Sequence, residues 1–246
     1  MPAFADRDLR DWSALLDRLR PVVGKAPTLE TAAGMVASQL FATFEETTAL
    51  ARIYVVVPYR GLAPSVAAFV DQLAAKTGQS EHIHPETPVL TLLATHGTKP
   101  EWCDRTKSKG HVGIPLVSGE FVQAIPMVAR LLKELGVDLA WLDVATDVNA
   151  RRLLGGFNGV FFVDDAATAR DNLGRAIIPA QDFVEDQGIK TVFGMGGFYP
   201  DNTLVVLIVF ARETLERSQV ERFTSLISLL KGETFGTVRA RKIFAS

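Results

Sequence analysis

A chain of 246 residues that is 48% hydrophobic and 22% charged, with 26 basic and 28 acidic side chains, reads as an ordinary soluble globular protein with a sizeable core. That balance excludes disorder, a collagen-like or low-complexity chain, and a broad basic face for nucleic acid. The single cysteine, Cys103, excludes an internal disulfide framework and fits a reducing compartment.

Asp6, Arg7, Asp8, Arg10 and Asp11 interrupt the N-terminus, so it lacks the apolar core of a signal peptide. The longest uncharged stretch, 31–44, has 14 residues, whereas a membrane helix needs about 20. The expectation is a cytoplasmic chain that engages neither membrane nor nucleic acid.

Leu9, Trp12, Leu15, Leu16 and Leu19 fall at helical spacing, with Asp6 or Asp8 as N-cap and Pro21 closing the run. Thr28 is placed to cap a second helix carrying Leu29, Ala32, Ala33, Val36 and Leu40, ending near Phe44. Residues 51–58 form a β-branched and aromatic run that predicts a strand buried on both faces. A helix over 64–76 follows, stopped by Gly78. Strands are expected at 89–94 and 113–117, separated by a long polar connection. The stripe from Phe121 to Leu135 is helical, with Pro126 either kinking it or marking its real start.

Residues 139–142 and 159–163 are further strand candidates, and Gly155-Gly156 between them reads as a turn. A polar stretch then leads to a helical turn at 181–185. Two β-rich runs, 189–198 and 203–211, flank Tyr199-Pro200-Asp201-Asn202 and predict a hairpin. A last helix carries Val220, Phe223, Leu226, Ile227 and Leu230, and the basic residues after it are expected to fray. No repeat or Ser/Gly-rich linker appears, so one α+β domain is favoured over two.

This order of elements, and above all GIKTVFGMGGFYPDNTLVVLIVFAR at 188–212, resembles a GAF domain. The likeness spans roughly 28–232. It divides the chain into an N-terminal helical extension (1–27), a GAF-like domain (28–236) and a basic C-terminal tail (237–246). The resemblance implies a mainly antiparallel central sheet of about six strands, with helices packed on one side and a loop-roofed ligand pocket on the other. It further implies small-molecule sensing, a homodimer through the terminal helices, and an output protein regulated in trans. No Asn-Lys pair of the cyclic-nucleotide members occurs, and Cys103 stands in Trp102-Cys103-Asp104-Arg105 without the neighbouring His of bilin carriers.

The densest candidate for binding is 99–115, KPEWCDRTKSKGHVGIP. Arg105 offers a bidentate fork to a carboxylate or phosphate and Trp102 a stacking face, with Asp104, Lys107, Ser108, Lys109 and His111 beside them. The plainer reading is a solvated loop with Trp102 on the core edge. A second candidate is the polar stretch 164–182, with Asn172, Arg175, Gln181, Asp182 and the adjoining Phe183, expected to face the first across an apolar wall of Phe161, Phe183 and Phe193. The ligand is then a small, anionic molecule; no motif names a cofactor.

His82 and His84 have a spacing that can serve a metal, but Pro85 and the polar surroundings favour two solvated histidines. Cys103 is favoured as a packing residue, with a reactive thiol as the alternative. The glycines of Gly194-Met195-Gly196-Gly197 lead into a strand rather than a helix, so they mark a bulge or close backbone approach rather than a phosphate loop. Hydrolase, metalloprotease and nucleoside-triphosphatase motifs are missing. Three functions stand: a ligand-binding sensor, a Cys103-dependent oxidoreductase using an external thiol, and a ligand-free interaction module.

Overall fold

The computed structural model describes residues 4, 9–108, 110–140, 142 and 159–245. Among these, six strands form one sheet in the order β3-β2-β1-β6-β5-β4, with every neighbouring pair antiparallel. The strands are β1 (Thr48–Pro58), β2 (Pro88–Gly97), β3 (Gly113–Pro115), β4 (Gly159–Val163), β5 (Thr191–Phe198) and β6 (Leu204–Ala211). The hairpin expected near the C-terminus is β5–β6. It places β6 beside β1, which makes these two the centre of the sheet.

Alternation along the strands gives the sheet two buried faces. On the first, Ala51, Ile53, Val55 and Val57 of β1 lie with Val205, Leu207 and Val209 of β6 and with Phe193 and Met195 of β5. Three helices cover that face: α1 (Leu9–Val23), α2 (Leu29–Thr43) and α8 (Thr224–Arg239). Trp12 Nε1 donates to Ser225 Oγ at 2.6 Å, and Arg20 pairs with Glu233 at 3.3 Å. The equal offset of the two contacts shows that α1 and α8 run parallel. Thr28 caps α2 as expected, its hydroxyl accepting from the Thr31 N–H. Pro21 sits inside the last turn of α1 rather than ending it. Asp6 and Asp8 lie outside the described residues.

Shorter helices and loops cover the second face: α3 (Pro64–Lys76), α4 (Gly119–Gln123), α5 (Pro126–Glu134) and α6 (Gln181–Gln187). A further turn, α7 (Arg217–Val220), precedes α8. Pro126 marks a real start, because α4 ends at Gln123 and α5 opens with the proline at its N-terminus. Gly159 and Gly196 face each other across β4–β5, and a Cβ at either would lie 2.6–2.7 Å from Leu135. Those glycines admit the end of α5, so the 194–197 run is a site of close approach and carries no bulge.

Two further expectations need correction. No strand forms at 139–140, where the Asp138 carboxylate accepts the Ala140 N–H and closes a turn just after Gly136 ends α5 with φ 82°; Trp141 lies outside the described residues, as does the Gly155-Gly156 turn. The segment after α8 is docked rather than frayed. Arg241 turns the chain at φ 56°, and the Lys242 and Ile243 carbonyls accept the N–H groups of Leu29 and Glu30, both at 2.9 Å.

Candidate functional site

On the second face, Thr95, Arg52, Ile208, Gly194 and Phe161 form one row across β2, β1, β6, β5 and β4. Arg52 therefore puts a guanidinium where its strand neighbours on that face, Leu50 and Tyr54, are buried. Its Nη2 donates to Ser108 Oγ at 3.0 Å, and Nη1 to the Gly110 carbonyl at 3.3 Å and the Tyr54 hydroxyl at 3.4 Å. Among the described residues the buried Nε has no partner, and neither has the buried hydroxyl of Thr95 opposite it. No carboxylate among the described residues lies within ion-pair distance of Arg52. A positive charge and two orphaned donors on a covered face are costly unless something pairs with them.

The roof over this row is formed by residues 98–108 and 110–112, which run along the edge of β2 beyond its short pairing with β3. His111 takes φ 51° there, a left-handed conformation uncommon outside glycine. The His111 residue is exposed. Desolvation lowers its proton affinity, and the Arg52 guanidinium lowers it further.

Beside the Arg52 row stands a chain of aromatic rings. Trp102 meets Phe183 edge-on at 5.5 Å, and Phe183 meets Phe210 edge-on at 5.3 Å. Gly97 makes room for the indole, since a Cβ there would lie 3.0 Å from Trp102 Cε3. The two stretches singled out from sequence thus meet at Trp102 and Phe183. Phe161 belongs to the same face. Phe193 does not, because its strand position turns it to the first face with Met195.

The other candidates separate. Ser108 and His111 border Arg52. Arg105 turns away to α2, where Nε and Nη2 reach Glu30 at 2.5 and 3.0 Å. Asp104 caps the 3-10 turn Arg105–Lys107 by accepting the Thr106 N–H and hydroxyl, and Lys107 is exposed with its amine 3.6 Å from Asp104. Lys109 lies outside the described residues. Asn172 is exposed in a turn that Asp171 braces through Leu173 and Arg175. Gln181 ties the Ala166 and Ile178 carbonyls together, and Asp182 is exposed in the first turn of α6. A strand residue's face is set by period 2, whereas a loop side chain's direction depends on the path of the loop.

Cys103 is exposed on the other flank of β2. Its Sγ lies 3.4 Å from the Gly97 carbonyl and 3.9 Å from His96 Nε2, whose ring packs on Phe41 of α2. His82 and His84 are exposed, and no group of three metal-ligating side chains occurs among the described residues. A cleft of about 320 Å³ opens between α3 and α4, with Leu73, Phe121 and Ile125 on its walls and Glu120 at its rim; it holds none of the sequence candidates. Among the described residues no helix is long and apolar enough to cross a membrane.

Arg52, Tyr54 and Thr95 were not singled out from sequence. The available signal is one charge inside the apolar run ALARIYVVV, in phase with Leu50 and Tyr54.

No protein-family model and no curated protein matches the chain. Among solved structures, a free methionine-R-sulfoxide reductase from Neisseria meningitidis, in complex with its substrate, aligns over 94% of this chain and 92% of its own, at 12% identity and a TM-score of 0.50. The GAF domain of a phosphoenolpyruvate-protein phosphotransferase from Coxiella burnetii aligns over 96% and 98%, at 13% identity and a TM-score of 0.49. A phycoerythrobilin-bound GAF domain from a cyanobacterial phytochrome aligns over 94% and 97%, at 12% identity and a TM-score of 0.47. At such identities likeness speaks to fold alone. The six-stranded antiparallel sheet in its observed order is the GAF-type α+β fold that residues 188–212 suggested.

Proposed function

We propose that this chain is a cytoplasmic GAF-type sensor module that takes a small anionic molecule on the second face of its sheet and regulates a partner protein in trans. One observation carries the reading: among the described residues Arg52 has no counter-charge on a covered face, and the Thr95 hydroxyl beside it has no partner. A carboxylate or phosphate would replace Ser108 and Gly110 as acceptor for the guanidinium. Trp102, Phe183 and Phe210 supply the apolar wall on which the rest of such a ligand packs. The chain acts as a homodimer through α1 and α8, and its ligand works by preferring one arrangement of the pair.

Calorimetric titration with acetate, succinate, inorganic phosphate and nucleoside monophosphates tests the reading. At least one anion binds the wild type, and Arg52→Gln weakens it by about 10–100-fold, as loss of a charge-assisted hydrogen bond requires. Binding of none of these, or equal binding by the variant, overturns it.

Exposure of Cys103 beside His96 favours a second reading, a thiol-dependent reductase. Its Sγ would take the oxygen of a sulfoxide, leaving a thioether and a Cys103 sulfenic acid; an external dithiol would condense with that acid with release of water and then close to its own disulfide, returning the Cys103 thiol. The thiol sits on the α2 flank rather than at Arg52, so this activity would not depend on Arg52. Turnover of free methionine sulfoxide with dithiothreitol, lost in Cys103→Ser and kept in Arg52→Gln, would establish it; no turnover rejects it.

A further inference from the structure

The roof of the Arg52 site and the C-terminal segment meet on one carboxylate. Glu30, in the first turn of α2, receives Arg105 at 2.5 and 3.0 Å and the Ala245 backbone N–H at 2.9 Å. The Phe244 ring lies 5.4 Å from the Arg105 guanidinium. A helix start leaves N–H groups that need acceptors, and here the Lys242 and Ile243 carbonyls supply two. The Arg105 and Glu30 side chains are only 17% and 20% exposed, so salt screens their pairing weakly.

Arg105 and Ser108 are the two ends of one hydrogen-bonded turn. The Ser108 N–H donates to the Arg105 carbonyl at 3.3 Å and the Lys107 N–H to the Asp104 carbonyl at 3.1 Å. Asp104 also fixes Thr106 through its N–H and hydroxyl. Such a turn ties the Ser108 backbone to that of Arg105, so a displacement of the loop that carries Ser108 away from Arg52 shifts Arg105 against Glu30 and Phe244.

We infer that this clasp is the output of the site: an anion that takes Arg52 from Ser108 loosens Arg105 from Glu30 and frees residues 240–245 from the start of α2. The inference rests on Arg52 being the anion anchor. It specifies two states, clasped and released, and a ligand that favours the second. The surface then offered to a partner is the N-terminus of α2, with its amides and the seat of Phe244 uncovered.

Hydrogen exchange on the full chain, read at the Leu29, Glu30 and Ala245 amides with Val206 as a global-stability control, tests it. Arg105→Gln breaks the clasp directly. Arg52→Gln, and Ser108→Ala as the gentler second variant, are expected to raise exchange at the three amides by about fivefold or more, the lower range of coupling between sites, with Val206 unchanged. Wild-type exchange at these amides in both Arg52→Gln and Ser108→Ala, with a rise in Arg105→Gln, overturns the coupling. Inorganic phosphate is the ligand probe. Phosphate that perturbs Ser108 and raises exchange at the three amides supports the coupling, and phosphate that perturbs Ser108 alone overturns it. If phosphate and the other titrated anions all fail to bind, the anchor reading falls, and the variants still decide whether the clasp and the site are joined.

Discussion

Arg52 donates to the Gly110 carbonyl at 3.3 Å and so brings a fixed positive charge against the next residue, His111. Enclosure by protein and that charge both favour the neutral imidazole, below the ordinary value of 6.5. Stability from the neutral ring is present above 6.5 and lost as pH falls through the lowered folded value. His96, lowered by desolvation against α2, acts in the same direction. Chemical denaturation should therefore show stability falling from pH 7 to pH 5, and NMR titration of His111 should show a midpoint below 6.5 that rises in Arg52→Gln. A midpoint unchanged by the substitution refutes the link.

An anion seated at Arg52 cancels part of the charge that opposes His111 protonation. Binding then takes up protons, and affinity strengthens as pH falls below 6.5 into the range of the lowered His111 value. Calorimetry in buffers of different ionisation enthalpy reads that uptake, and proton release on binding would contradict it.

Phe183 holds both edge-on contacts of the aromatic chain, to Trp102 and to Phe210. Phe183→Ala should cost about 1–3 kcal/mol in urea unfolding, since each contact is worth about 0.5–1.5 kcal/mol. Trp102, freed on one side, should show red-shifted emission.

Gly159 and Gly232 make a contrasting pair. A Cβ at Gly159 lies 2.6 Å from the Leu135 Cα and 2.7 Å from the Glu134 carbonyl, both backbone atoms, while at Gly232 inside α8 it meets nothing within 4 Å. Gly159→Ala should destabilise by about 1–3 kcal/mol through overpacking, and Gly232→Ala should stabilise by about 0.5–1 kcal/mol through helix propensity. Thermal unfolding separates the two.

Val22 of α1 and Phe235 of α8 are 43% and 40% exposed on the helices proposed to form the dimer. Phe235→Ser should weaken self-association by about tenfold, the loss of one apolar contact of roughly 1.4 kcal/mol. Sedimentation equilibrium measures the shift, and an unchanged association constant places the interface elsewhere.

Local chemistry made much of the architecture legible. Thr28 as a cap, Pro126 as a helix start, Gly78 and Gly136 as helix ends, and the Tyr199–Asn202 turn all act within a few residues. The β-branched runs of β1 and β6 were readable for the same reason. The hairpin and its neighbour strand were enough to suggest the GAF-type sheet.

Long-range register decided what those local signals did not contain. Arg52 looked like one charge in an apolar run until β2 and β6 fixed it beside Thr95 and Ile208. Arg105 and Ser108, neighbours in one basic loop, went to different partners because that loop follows the edge of β2, with one face of the sheet on each side. The tail appeared free because the donors to its carbonyls, the Leu29 and Glu30 N–H groups, lie near the other end of the chain. Element type follows from nearest neighbours in sequence. The direction of a loop side chain, and so membership of the site, follows from packing between distant segments, and only the folded chain sets it.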